Sequence, residues 1–129
     1  MKTTILSWIL RLAVAVILAQ TLYFKFTGAE ESIYIFTTLG VEPYGRIGTG
    51  ILELITVVLI LIPRTVLPGA LLGCAIMIGA IFSHLLVLGI EIENDGGTLF
   101  ALANLTLFSC LILIFLNKDK IPNLLKIKL

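Results

Sequence analysis

Polar side chains embedded in long hydrophobic stretches are the residues of this sequence that could do chemistry. Four of them, on four separate stretches, are Gln20, Glu53, His84 and Asn104. A charge at the centre of a bilayer costs about 2.5 to 3.5 kcal/mol on insertion scales, so such a group usually faces protein or water. A buried carboxyl either pairs with a cation or takes up a proton, and both states suit proton-coupled chemistry. Glu53 is therefore the leading functional candidate.

These polar residues lie at similar depth if each stretch is a helix that crosses a membrane. At about 1.5 Å per residue, Glu53 lies roughly 10 Å inside the outer end of its helix, and Asn104 lies at the same depth. His84 and Gln20 also lie near the outer ends of their helices. The spacing predicts one polar layer in the outer leaflet.

Two cations, Lys25 and Arg46, lie at the outer boundary of this layer, where either could pair with Glu53. Hydrogen bonds of about 0.6 kcal/mol each also hold membrane bundles together, so the sequence leaves open whether the layer binds a ligand or only stabilises the bundle. No second His or Cys lies at ligand spacing from His84, so no metal site is predicted. Catalytic residues remain unassigned. The candidate ligand-binding residues are Gln20, Lys25, Arg46, Glu53, His84 and Asn104.

The elements that must position this layer follow from composition. Of the 129 residues, 59% are hydrophobic and only 13% are charged, which is too apolar for a soluble domain. Four apolar stretches, at about 5–24, 46–62, 66–88 and 98–116, are long enough to cross the hydrocarbon layer as helices. The sequence predicts an all-α fold, a transmembrane four-helix bundle, with residues 1–129 forming a single membrane domain.

The connection between the first two stretches carries a further predicted element. Its segment from Glu30 to Leu39 precedes Gly40, a residue type that favours helix ends. We expect a short interfacial helix here. The net charge of +1 gives no sign of nucleic-acid binding. The four long apolar stretches make the lipid bilayer the first predicted partner.

The orientation in the membrane is predicted from the basic residues near the helix ends. Only Lys25 and Arg46 fall on one side, whereas seven basic residues fall on the other. The positive-inside rule makes the second side cytoplasmic, with both termini inside. The acidic residues lie mostly on the outer side. The seven cytoplasmic residues are Lys2, Arg11, Arg64, Lys118, Lys120, Lys126 and Lys128, and the outer acids are Glu30, Glu31, Glu42, Glu91, Glu93 and Asp95.

The order and spacing of several short motifs resemble the DoxX family of small four-helix membrane proteins. The resemblance covers nearly the whole chain, although each motif is degenerate alone. The motifs are Tyr23-Phe24-Lys25-Phe26, Leu39-Gly40-Val41-Glu42-Pro43, Gly48-Thr49-Gly50-Ile51-Leu52-Glu53-Leu54, the Pro63-Arg64 turn, and a helix rich in small residues that carries Ala80 and His84.

The resemblance implies an association with redox chemistry. Members include a membrane subunit of thiosulfate:quinone oxidoreductase and proteins that assist periplasmic thiol or amine oxidation. By this analogy, Lys25 and Glu53 are the transferable positions, a quinone is the candidate cofactor, and a redox protein is the candidate partner. The analogy also implies a bacterial cytoplasmic (inner) membrane. Residues 54–58 lack the glycine-rich pattern that relatives carry there, which weakens the transfer of any particular activity.

Three functions therefore stay open. The first is a subunit that anchors or assists a quinone- or thiol-linked redox partner and is not catalytic by itself. The second is a small-solute or proton-coupled carrier, although no broken inverted repeat is visible. The third is an assembly factor without a ligand. The sequence also leaves open whether the chain forms a homo-oligomer.

Overall fold

The described part of the chain is almost entirely helical. The computed structural model describes residues 2–42, 44–90 and 96–120, and every regular element in those ranges is a helix. The predicted all-α four-helix fold is confirmed, with a short helix between the first two long ones. The helices are α1 (Lys2–Thr27), α2 (Glu30–Thr38), α3 (Tyr44–Leu61), α4 (Val66–Ser83) and α5 (Thr98–Leu116), with a π-helical turn at His84–Leu88 and 3-10 turns at Pro63–Thr65 and Lys118–Lys120.

The four long helices have the length and composition needed to cross a membrane. Their outward faces carry large hydrophobic side chains, such as Ile9, Val16, Phe108 and Phe115, which are all exposed. Hydrocarbon solvates such faces, whereas the backbone polar groups must be satisfied inside each helix. The fold therefore fits a lipid bilayer as its solvent.

The long helices form a closed ring. Helix α1 packs against α3 and α5, and α4 packs against the same two helices, so α1 and α4 lie at opposite corners. We call the two ends of the bundle the α2 end and the Pro63 end. The hydrophobic core lies toward the Pro63 end. Its fully buried residues include Val14, Ile60, Ala70, Cys110 and Leu113.

Glycines on α4 allow close packing in this core. A Cβ atom on Gly69 would lie 2.9 Å from Leu59 Cβ and 3.0 Å from the Ile60 backbone nitrogen. A Cβ atom on Gly73 would lie 2.8 Å from Cys110 Sγ. Real Cβ atoms do not approach that closely, so α4 can pack against α3 and α5 at these positions only because both residues lack a side chain.

Arg11 joins α1 to the end of α3. Its Nε donates to the Ile60 carbonyl at 2.7 Å, and Nη2 donates to the Leu61 carbonyl at 2.9 Å. The last carbonyls of a helix have no intrahelical donor, so Arg11 supplies two of the missing hydrogen bonds. The sequence treats Arg11 only as an orientation signal; the structure adds this contact.

Several residues used in the sequence predictions lie outside the described ranges. They are Pro43, the acids Glu91, Glu93 and Asp95, and the basic residues Lys126 and Lys128.

Candidate functional site

A cavity of about 970 Å³ lies between the helices at the α2 end. All five helices contribute to its walls, and most lining side chains are hydrophobic. Small-molecule sites typically have volumes of about 300 to 1,000 Å³ and few convergent polar groups. The polar lining includes Gln20, Thr21, Lys25, Glu53, Ser83 and His84.

Helix α2 covers the cavity with one face. Ser32, Ile35, Phe36 and Leu39 all line it. These positions are spaced three or four residues apart, so they share one side of a helix. Ser32 and Phe36 are buried, whereas Tyr34 on another face is exposed. Helix α2 is therefore amphipathic toward the cavity, and its placement at the membrane interface stays a prediction.

The central feature of the cavity wall is an ion pair between α1 and α3. Lys25 Nζ lies 2.7 Å from Glu53 Oε1. Glu53 is only 1% exposed, whereas the Lys25 side chain keeps 16% of its surface accessible. A buried carboxylate needs a cation or hydrogen-bond donors to offset its lost hydration. The α1–α3 packing provides both, and it joins the two positions that the family resemblance singles out.

Thr21 is a site residue that the sequence reasoning missed. Its hydroxyl lies within hydrogen-bonding distance of Glu53 Oε2 and of the Leu18 carbonyl, so its single proton serves one of the two acceptors at a time. Thr21 precedes Lys25 by four residues, which places both side chains on the same face of α1. That spacing was the available signal, although threonines that bond their own helix look identical in sequence.

Arg46 hydrogen-bonds to the backbone of Lys25 and does not line the cavity. Its Nε donates to both oxygens of Glu42, at 2.9 and 3.0 Å, and a terminal nitrogen donates to the Lys25 carbonyl. Arg46 is not among the cavity-lining residues. Of the two cations considered for Glu53, Lys25 makes the pair, and Arg46 anchors the end of α1 that carries Lys25.

His84 is buried at the first position of the π-helical turn. Its Nδ1 lies 2.9 Å from the Gly89 carbonyl oxygen, and its ring packs edge-on against Phe100. A carbonyl only accepts, so Nδ1 carries the proton and Nε2 of a neutral ring keeps a lone pair. Gly89 has a φ of 83°, in a region that favours glycine. The turn thus fixes the orientation of the imidazole at the cavity wall.

Of the remaining two predicted residues, one lines the cavity and the other does not. Gln20 lines the cavity, although it also has an exposed surface. Asn104 does not line it; its amide donates at 2.8 Å to the Phe100 carbonyl of its own helix. The structure therefore brings Gln20, Lys25, Glu53 and His84 to one cavity and leaves Asn104 and Arg46 beside it.

The two cysteines lie away from this cavity. Cys74 and Cys110 are free thiols that are buried in the core and interact with each other. Neither lines the cavity. In residues 2–42, 44–90 and 96–120, no cluster of three or more His, Cys, Asp or Glu residues has the geometry to hold a metal ion. The polar groups of the cavity wall are therefore the Lys25–Glu53 ion pair, the His84 imidazole, hydroxyl groups, the Gln20 amide and the carboxylates of Glu30 and Glu31.

Sequence comparison agrees with this architecture. The model of the DoxX-like family matches residues 9–109, which include Lys25, Glu53 and His84. The chain belongs to the DoxX-like family. No curated protein and no solved structure matches it. With its four apolar helices, this DoxX-like protein is an integral membrane protein.

Proposed function

We propose that this DoxX-like protein is a membrane subunit that anchors or assists a redox partner and binds the head group of a quinone-like molecule. The observation that carries the proposal is the Lys25–Glu53 pair in the wall of a large, mainly hydrophobic cavity. A bacterial cytoplasmic membrane is the expected location, because quinone-linked members of the family work there.

The chemistry of the cavity suits a quinone head group. A quinone carbonyl accepts hydrogen bonds, which the partly accessible Lys25 ammonium can donate, and the nearly enclosed Glu53 carboxylate holds that ammonium in place. The hydrophobic lining, including Leu52, Met77 and Leu102, suits the ring and the start of an isoprenoid tail. Electrons would come from the redox partner, and the chain's own residues would position the head group and exchange protons with it.

The buried cysteines favour a quinone over thiol chemistry in this chain. A reactive cysteine is usually accessible and close to cationic groups. Cys74 and Cys110 lie in the hydrophobic core, outside the cavity that contains Lys25. The proposal therefore assigns no redox step to the thiols.

Photolabelling tests ligand binding. A quinone analogue with a photoreactive group is added to membranes that contain the full chain, and the labelled peptides are identified. We expect labelling of α1 and α3 near Lys25 and Glu53, with competition by unlabelled quinone and a large decrease in Glu53→Gln. The matched control is Glu42→Gln, which removes a carboxylate from an ion pair outside the cavity. Equal labelling in both variants would contradict the proposed site.

Purification and transport assays separate the three functions. A redox subunit should copurify in mild detergent with a redox protein and a quinone. A carrier should show solute or proton flux in liposomes that contain this chain alone. An assembly factor without a ligand should lose protein level in Glu53→Gln with no selective loss of partner turnover.

A further inference from the structure

We propose that the Pro63 end of the bundle carries a second binding site, one that binds a phosphate group. A pocket of about 290 Å³ lies there between the start of α1, the Pro63 turn and the end of α5. Its polar lining consists of Thr4, Ser7, Arg11 and Asn117, with Trp8 beside them. A water molecule occupies about 30 Å³, so the pocket has room for a phosphate and part of its ester substituent.

Arg11 is the main reason to expect an anion. It is only 4% exposed, yet no carboxylate in residues 2–42, 44–90 and 96–120 lies within ion-pair distance of it. Its hydrogen bonds to Ile60 and Leu61 use two guanidinium N–H groups, whereas a guanidinium has five. These carbonyls offer only partial charges. A buried full charge favours a counter-ion, and a phosphate oxygen matches the remaining guanidinium donors.

Further donors converge on the same pocket. Ser7 lies one turn before Arg11 on α1 and Thr4 lies two turns before it, so their hydroxyls share its face of the helix. Val66, the first residue of α4, also lines the pocket, and no side chain caps this helix start. The positive end of the α4 dipole therefore lies at the pocket, where it offsets the negative end of α5 at Leu116 and Asn117.

The aromatic neighbour explains how the cation is kept in place. The centroid of the Trp8 ring lies 3.6 Å from the Arg11 guanidinium carbon, so the ring covers one face of the guanidinium. Trp8 and Thr4 are themselves exposed on the outer surface of α1, so the pocket opens sideways as well as toward the helix ends. Its ligand chemistry is a phosphate ester or free phosphate, and a phospholipid head group could enter from the lipid side.

Tryptophan fluorescence provides a direct test, because Trp8 is the only tryptophan in the sequence. The full chain, purified in detergent and delipidated, is titrated separately with dioleoylphosphatidylglycerol, with dioleoylglycerol and with inorganic phosphate. We expect a saturable emission shift with the phospholipid and none with dioleoylglycerol, which has the same chains without phosphate. The same shift with inorganic phosphate would identify free phosphate as a ligand; a shift with phospholipid alone would identify the head group.

Substitutions of Thr4 and Ser7 test the phosphate site without removing the hydrogen bonds of Arg11 to α3. The double variant Thr4→Val/Ser7→Ala keeps Arg11 and its bonds to α3, and removes two hydroxyl donors to the anion. Because hydrogen bonds to charged groups are lost, we expect a roughly tenfold weaker apparent affinity for the phospholipid in this variant. The control Thr38→Val makes the same change at an exposed position at the α2 end and should keep the wild-type midpoint. An unchanged midpoint in the double variant, equal shifts with the two lipids, or no shift with any phosphate compound would overturn the proposal.

Discussion

At the residue scale, the Lys25–Glu53 pair combines burial with access to the cavity. The carboxylate is nearly enclosed, while the lysine keeps part of its surface accessible. Removing two charges from water is costly, and their attraction repays this only when further donors complete the site. The Thr21 hydroxyl is such a donor. Because the pair links α1 to α3 through side chains, it is both a structural contact and the polar centre of the proposed head-group site.

The energetic role of the pair can be tested with a double-mutant cycle. Lys25→Met leaves an uncompensated carboxylate and should lower the free energy of unfolding by about 3 to 5 kcal/mol. Lys25→Met/Glu53→Met removes both charges and should be clearly less destabilised than the sum of the single variants. Unfolding of each variant in mixed detergent micelles measures the difference. Additive losses would show that the two side chains do not interact.

Thr21 allows a second prediction. Its acceptor at Glu53 is charged, so Thr21→Val should cost about 1.5 to 3 kcal/mol of unfolding free energy. That exceeds the average of about 0.6 kcal/mol for membrane side-chain hydrogen bonds. Thr27→Val is the control, because the exposed Thr27 hydroxyl bonds only to carbonyls of its own helix. Similar losses in the two variants would place the Thr21 proton on Leu18 instead.

At the element scale, α4 and the turn that follows it have different tasks. The first half of α4 carries Gly69 and Gly73 and packs tightly in the core. The turn that follows α4, His84–Leu88, has π-helical hydrogen bonding, with the Gly89 N–H donating to the His84 carbonyl at 2.6 Å. This π-helical turn is the terminal turn before Gly89, and its first residue, His84, lies at the cavity wall.

The close packing of α4 gives a third prediction. Gly69→Ala would bring a methyl group within 3.0 Å of the α3 backbone and should destabilise the fold by about 1 to 3 kcal/mol. Gly48→Ala is the matched control, because nothing lies within 4 Å of its added methyl group. In a helix, this control change should be neutral or stabilising by up to about 1 kcal/mol. Thermal unfolding in detergent compares the two variants.

At the scale of the whole molecule, the bundle has a tightly packed half and a half that contains the cavity. The core occupies the Pro63 end, and the cavity occupies the α2 end beneath its covering helix. The packed half holds the helices at fixed spacing, so the open half can keep its volume without collapsing. The proposed head-group site would therefore be preorganised.

Membrane orientation gives a fourth prediction. The positive-inside rule places the α2 end outside and the Pro63 end in the cytoplasm. Glu30→Cys should therefore react with a membrane-impermeant maleimide in intact cells, whereas Arg64→Cys should react only after permeabilisation. Both positions are exposed, and the two native cysteines are buried. The opposite labelling pattern would reverse the orientation.

The sequence alone was enough to predict the architecture, because a hydrocarbon solvent restricts the backbone to few structures. Long apolar stretches without alternation must become helices, so the four-helix fold could be predicted and was confirmed. Motif order likewise indicated the family that matches residues 9–109. These features depend on residue type and spacing along one segment, which a sequence displays directly.

Only the tertiary structure decided which polar groups meet. Depth estimates placed Asn104 in one layer with Glu53, and Lys25 and Arg46 at the outer boundary of that layer. Rotation about each helix axis and side-chain reach decided the partners: Lys25 pairs with Glu53, Arg46 pairs with Glu42, and Asn104 donates to a carbonyl of its own helix. Thr21 and the second role of Arg11 were hidden for the same reason. Depth along a helix follows from counting residues, whereas the facing of neighbouring helices follows from how their surfaces pack.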